Sequence, residues 1–155
     1  QEFARSKVIA RTPVNDPDEC KIDHNSYQKD NETNWLNFDH LKLNRGLYEY
    51  YRGLIDIRKK SPALRKCKPE EIHFDYYGNP LLISFFINGN STDDMYDYYI
   101  IMNGNSFAIE KHDLPAGTWE ILADHEIASS HILNIASGSV NIPSQSGILL
   151  RKLRH

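Results

Sequence analysis

Long apolar runs are missing from this sequence. No stretch approaches the roughly 20 apolar residues that a membrane-spanning helix needs, and the first residues lack the basic, apolar and small-residue regions of a secretory signal. Cysteine is scarce: Cys20 and Cys67 are the only two, they lie far apart, and neither stands in a Cys-x-x-Cys spacing, which leaves no zinc or thiol-redox motif. An excess of either charge is also absent. The formal charge is −3 and the pI near 6.2, so neither nucleic acid nor an anionic membrane surface is expected as a partner. Seven histidines are scattered from His24 to His155 with no pair at the i, i+4 spacing that would put two imidazoles on one helix face. No Asp-x-Asp-x-Asp-Gly loop and no Gly-x-Ser-x-Gly elbow occurs, so neither a calcium loop nor a positioned serine nucleophile is signalled. No metal or cofactor is expected. An initiator methionine is missing too: the chain opens Gln1-Glu2-Phe3 and reads like the interior of a longer sequence, a fragment or a processed product.

What the 155 residues do hold is an ordinary globular composition, 40% hydrophobic and 25% charged, enough to close one main core. Residues 1 to 40 are polar, rich in Asn and Asp, carry Pro13 and Pro17, and keep no period of 2 or 3.6; they read as a long loop. Asn44 is a fair N-cap. From there Leu47, Tyr51, Leu54, Ile55 and Arg58 recur at helical spacing until Ser61-Pro62, which predicts one amphipathic helix from about 44 to 60. With Tyr48 and Ile57 its apolar stripe is broad enough to want partner surfaces on two sides.

After Pro69 the period changes. Short runs rich in β-branched and aromatic residues, at 72–76, 81–88, 98–102, 106–110, 118–122, 132–135, 139–142 and 147–153, predict about eight strands. Gly78-Asn79-Pro80, Asn88-Gly89-Asn90 and Asn103-Gly104-Asn105 stand between the early runs, and the last two, each with an Asn-Gly pair, suggest tight hairpins with antiparallel neighbours. The fold class is therefore mainly β, an antiparallel β-sandwich preceded by a long loop and one helix.

Three constellations invite a chemical reading. The acidic knots Asp16, Asp18, Glu19 and Asp93, Asp94, Asp97 read as a solvated turn and a charged hairpin tip. The densest polar segment, His24 to Trp35, alternates short amides and carboxylates with two aromatic rings, the mixture that binds sugars: amides and carboxylates meet vicinal hydroxyls while ring faces cover the C–H side of a pyranose. Spacing alone weighs this equally against an Asn-rich loop that satisfies its own backbone. Eight of the nine tyrosines cluster at 48, 50 and 51, at 76 and 77, and at 96, 98 and 99, as sugar platforms or as half-buried packing.

Three further stretches resemble debranching enzymes of the α-amylase superfamily, the group of pullulanase, isoamylase and glycogen debranching enzyme. Gln1-Glu2-Phe3-Ala4-Arg5-Ser6-Lys7 resembles the exit of the eighth barrel strand. Asn25-Ser26-Tyr27 with Asp30-Asn31-Glu32 and Trp35 resembles the loop after it. The run from Leu47 to Arg65, including Gly53-Leu54-Ile55-Asp56-Ile57-Arg58, resembles the eighth barrel helix and its exit. Without gaps, the pullulanase-type Asp falls on Asn31 and its Asp-Trp pair on Asn37-Phe38, whereas an isoamylase-type register places Asp30 and Asn31 in line; both registers stay open. The β-rich remainder, with Leu114 to Trp119 and Ile142-Pro143, resembles the sandwich that follows such a barrel.

The resemblance implies a division into residues 1–66, the C-terminal end of a (β/α)8 barrel, and residues 67–155, a C-terminal β-sandwich. It implies a parent that hydrolyses α-1,6 glucosidic linkages of pullulan, glycogen or branched maltooligosaccharides with retention, through an Asp nucleophile and a Glu acid/base about 5 Å apart. Those carboxylates belong to earlier barrel strands, so this chain holds no catalytic residue and is expected to be inactive alone. Its share of the substrate contacts falls to Asp30, Asn31, Tyr27, Arg5 and Lys7. Its partners are the α-glucan and the missing barrel. The competing readings are a stand-alone carbohydrate-binding module, gripping glucan through Tyr76, Tyr77, Trp119 or the Asn-rich loop, and a purely structural sandwich.

Overall fold

The computed structural model describes residues 4, 6–11, 18, 20–76 and 78–154. Arg5, Asp16, Glu19, Tyr77 and the Gln1-Glu2-Phe3 triplet, all singled out above, lie outside the described residues. The chain falls into two compact units, Gln1–Glu49 and Tyr50–His155.

In the first unit the described residues up to Asp39 form turns and loop, tied by one isolated antiparallel bridge between Val8 and Ile22. Around it Asp23 N–H donates to Lys7 O at 2.8 Å, Ile9 N–H to Lys21 O at 2.9 Å and Cys20 N–H to Ile9 O at 3.2 Å. A single turn, α1 (His40–Leu43), follows. Then α2 (Arg45–Lys60) starts where the sequence places it: the Asn44 carbonyl accepts the Tyr48 N–H at 3.1 Å, as an N-cap residue does, and Ser61-Pro62 ends the helix after Lys60.

The second unit, from Tyr50 onward, is the predicted sandwich with its eight strands: β1 (Ile72–Asp75), β2 (Leu82–Ile87), β3 (Tyr96–Asn103), β4 (Ile109–His112), β5 (Trp119–Ala123), β6 (Asn134–Ala136), β7 (Ser139–Ile142) and β8 (Ser146–Leu153). All pairing is antiparallel, in a six-stranded sheet of order β1-β2-β3-β8-β5-β6 and a two-stranded sheet β4-β7. A short turn, α3 (Ala63–Lys66), links α2 to the strands.

The large sheet is apolar on both faces, which is why β2 reads Leu-Ile-Ser-Phe-Phe-Ile rather than as a strict alternation. Its inner face meets β4 and β7: Tyr99, Ile101, Trp119, Ile121, Ile148 and Leu150 close a core with Ile142. Its outer face meets α2 and α3, where Ile87, Tyr98, Leu122, Ala123 and Ala128 pack with Ile57, Ala63, Tyr50 and Leu54. Tyr50 Oη also donates to Asp124 O at 2.7 Å. The helix comes so close at Gly53 that a Cβ there would stand 1.8 Å from the Ala128 carbonyl oxygen. The opposite side of α2 keeps its own stripe, Leu47, Tyr51 and Ile55, exposed by 39%, 42% and 48%.

Two expectations are corrected. Asn103-Gly104-Asn105 makes no hairpin: β3 pairs with β2 and β8, β4 pairs with β7, and the chain passes here from one sheet to the other. The reason is the Asn103 side chain, 2% exposed, whose amide donates to Phe107 O, Ile142 O and Pro143 O and whose oxygen accepts the Asn105 N–H at 3.0 Å; it pins a corner between sheets. Asp94 is no solvated tip either. It is 8% exposed and accepts the Ala63 N–H at 3.1 Å, the Tyr96 N–H at 3.1 Å and the Tyr98 hydroxyl at 3.1 Å, joining the start of α3 to β3. Burying a carboxylate is tolerated when its lone pairs are filled in this way.

Candidate functional site

The polar segment from Asp23 to Trp35 is held by its own side chains. Asn34 is the peg: its Nδ2 donates to Ser26 O at 2.5 Å and to Lys29 O, and its Oδ1 accepts the Ser26 hydroxyl at 2.7 Å. Ser26 and Thr33 are both 2% exposed, and the Thr33 hydroxyl accepts the Ala10 N–H at 3.0 Å. Asp23 binds the Lys29 ammonium at 2.6 Å and the Asn25 N–H at 2.8 Å; the lysine above all, with that N–H, holds its carboxyl below the usual carboxylate range. Loops of small amides commonly satisfy their backbone so.

The same knotting pushes other groups outward. Tyr27 is 76% exposed, its phenol oxygen accepting the Gln28 amide at 2.7 Å, and the Trp35 and Phe38 rings are 64% and 66% exposed. Asp30 is exposed, and among the described residues no donor claims its carboxylate. Asn31 is half-buried; its Oδ1 accepts the Thr33 N–H at 3.0 Å, which leaves its NH2 available. Of the expected contacts, Tyr27, Asp30 and Asn31 thus share one short ordered loop. Lys7 joins it through the backbone, its carbonyl accepting the Asp23 N–H. Arg5 lies outside the described residues.

Sequence reasoning did not pick out Ser26, Thr33 and Asn34 as the residues that fix this loop. Their signal was present in the Asx and Ser/Thr density, but which side chains fix the loop depends on partners up to 23 residues away, as with the Thr33 hydroxyl and Ala10. Among the described residues no group of three His, Cys, Asp or Glu side chains comes together to hold a metal ion.

The sandwich separates the aromatic candidates. Trp119 is fully buried, its indole N–H donating to Pro115 O at 2.7 Å, and belongs to the core. Tyr76 is 90% exposed, its ring 6.5 Å from that of Phe74.

Over nearly its whole length this arrangement matches solved pullulanases. The pullulanase of Bacillus acidopullulyticus superposes with a TM-score of 0.78 over 97% of this chain at 18% identity, and a mutant pullulanase of Paenibacillus barengoltzii, complexed with maltotetraose, with 0.72 over 99% at 25% identity. The chain is pullulanase-like. It spans 17% and 22% of the lengths of those two proteins. A stretch of 43 residues, 28% of the chain, is also 46% identical to a glycogen debranching enzyme of Pectobacterium atrosepticum, of which it covers 6%. No protein-family profile matches the chain. A pullulanase-like piece of this size accounts for both units, the loop-rich first one and the mainly antiparallel β second one.

Proposed function

We propose that this chain is the C-terminal part of an α-glucan debranching hydrolase, with residues 1–66 ending the catalytic barrel and residues 67–155 forming the sandwich that follows it. The observation that carries the reading is the superposition of 97–99% of the chain on pullulanases, to which the debranching-enzyme stretch adds agreement in sequence. Compactness divides the chain at Glu49, inside α2; the proposed boundary at 66 is one of descent. Pullulanases of this fold have been solved with maltose and maltotriose bound, and an α-glucan is the substrate proposed here.

Within that parent, Tyr27, Asp30 and Asn31 supply substrate contacts: a ring for the apolar side of a glucose unit, a free carboxylate and a free amide for its hydroxyls. Lys7 and Arg5 are assigned beside them. The nucleophile and the acid/base are assigned to the remainder of the parent, so the chain alone is inactive. The exposed Leu47-Tyr51-Ile55 stripe supports a further packing surface, and the proposed occupant is the missing barrel.

Grafting tests this. Exchanging the matching segment of the Paenibacillus barengoltzii pullulanase for this chain should give a folded chimera that hydrolyses pullulan, while the isolated chain hydrolyses none. Asp30→Ala with Asn31→Ala in the chimera should lower kcat/KM roughly tenfold or more, about the worth of one or two lost hydrogen bonds to hydroxyls. A chimera that is monomeric and thermally cooperative yet inert would sink the reading, as would pullulan hydrolysis by the pure isolated chain.

A further inference from the structure

The sheet formed by β4 and β7 is only two strands wide, and a groove of about 490 Å³ opens between its β7 strand and the β5-β6 edge of the large sheet. Its floor is aliphatic, with Ile121, Ala136 and Ile148 each 7% exposed. Asn134 of β6 and Asn141 of β7 are part of its lining, with Asp124, His125, Ser137 and Ser139 as its other polar residues.

These polar groups have bonding capacity to spare. Asn134 uses its oxygen on the Ile135 N–H at 2.8 Å and keeps both amide hydrogens. Asn141 makes no side-chain hydrogen bond to a described residue. Asp124 spends Oδ1 on the Glu126 and Ile127 N–H groups, both at 2.8 Å, and keeps Oδ2.

Charge decides what such a groove takes. No Lys or Arg lines it, so a phosphate or sulfate group would find no counter-charge. One carboxylate is too few ligands for a hard cation. Neutral donors and acceptors around an aliphatic floor fit a molecule that is polar at its rim and apolar on its faces, with vicinal hydroxyls for the amides: a neutral oligosaccharide.

We infer that this groove is a second, non-catalytic holding site for a sugar chain, carried by Asn134, Asn141 and Asp124. The choice of α-glucan as that sugar rests on the function proposed above; the preference for a neutral polyhydroxylated ligand does not. In a parent that acts on long glucans, the site would keep the polymer tethered while a branch is cut elsewhere.

The test is a nitrogen-15 NMR titration of the full chain with maltohexaose, and in parallel with cellohexaose, followed by the same titrations of the Asn134→Ala/Asn141→Ala double variant. Both asparagines are exposed, so the variant should keep the dispersed spectrum of the parent. Expected are saturable shifts of the amides at 121, 134–141 and 148, with affinity falling at least tenfold in the variant. Absence of shifts there, or an affinity unchanged in the double variant, overturns the inference. Shifts confined to residues 24–38 overturn it while leaving the proposed function standing. Equal response to cellohexaose would support the groove and remove its α-glucan assignment.

Discussion

Replacing Gly53 by alanine sets two effects of opposite sign against each other. In an isolated helix the change is favourable by about 1 kcal/mol, because glycine gives up more backbone freedom on becoming helical. In this fold the added methyl would stand 1.8 Å from the Ala128 carbonyl oxygen and 2.5 Å from its carbon. Both are backbone atoms, so no side chain can swing aside, and either α2 or the loop around Ala128 must retreat by more than an ångström. The retreat would loosen Ile57 and Leu122, each 1% exposed, and Tyr50 with its bond to Asp124. Over-packing typically costs 1–3 kcal/mol, and a rigid obstacle belongs at the upper end. The net expectation is a loss of about 2 kcal/mol, or roughly 6–12 °C in Tm for a unit of this size. Urea unfolding followed by the fluorescence of buried Trp119 measures it; Trp35 is already exposed and adds little change. Gly46→Ala is the control, since nothing lies within 4 Å of a Cβ there, and it should leave stability unchanged or raise it by up to about 1 kcal/mol. If Gly53→Ala were as stable as the parent, the close approach of α2 to the 122–130 loop would be wrong.

Other expectations follow from the buried polar groups. Asp94→Ala strips acceptors from the Ala63 N–H, the Tyr96 N–H and the Tyr98 hydroxyl, and should cost about 3 kcal/mol in urea unfolding, with Asp94→Asn losing clearly less. Glu71 accepts both the N–H and the hydroxyl of Ser91 at 2.5 Å, and that hydroxyl, with the N–H groups of Lys68 and Ser91 and the Lys68 charge, lowers its pKa. Its contribution is therefore full above the ordinary glutamate range and lost as pH falls through the depressed value, so Glu71→Gln should flatten the acid limb of a plot of urea midpoint against pH. Burial, chiefly, raises the Tyr98 phenol well above its ordinary value of 10. The neutral phenol is the stabilised form, so stability holds below about pH 10 and declines as pH climbs toward the raised value; an ultraviolet titration of the folded chain should show a late phenol step, and Tyr98→Phe should remove it.

Much of this fold is legible in the sequence because its elements announce themselves locally. The strand runs are apolar and aromatic between Gly, Asn and Pro, and the helix carries its period from Leu47 to Ile57 until a Ser-Pro stop. What stayed hidden depends on distant partners. Asn103 looks like hairpin chemistry, yet it serves carbonyls as far away as Pro143. Asp94 looks like one more surface acid, and only the fold brings Ala63 to it. Gly53 looks like a weak point in a helix until the Ala128 carbonyl arrives against it. At the candidate site, Tyr27, Asp30 and Asn31 could be named from their pattern, whereas the peg, Asn34, acts through backbone oxygens that no side-chain pattern reveals.

The strand order of the large sheet bears on how the protein is made. β8 follows the other seven described strands in sequence, yet it sits between β3 and β5. Until it emerges from the ribosome, the growing polypeptide holds two separate ribbons, β1-β2-β3 and β5-β6, each with a long unpaired edge that another chain could seize. Closure therefore waits on β8, is made by contacts distant in sequence and is slow for that reason, and a nascent chain stalled before Ser146 would be a substrate for chaperones rather than a partly finished sandwich.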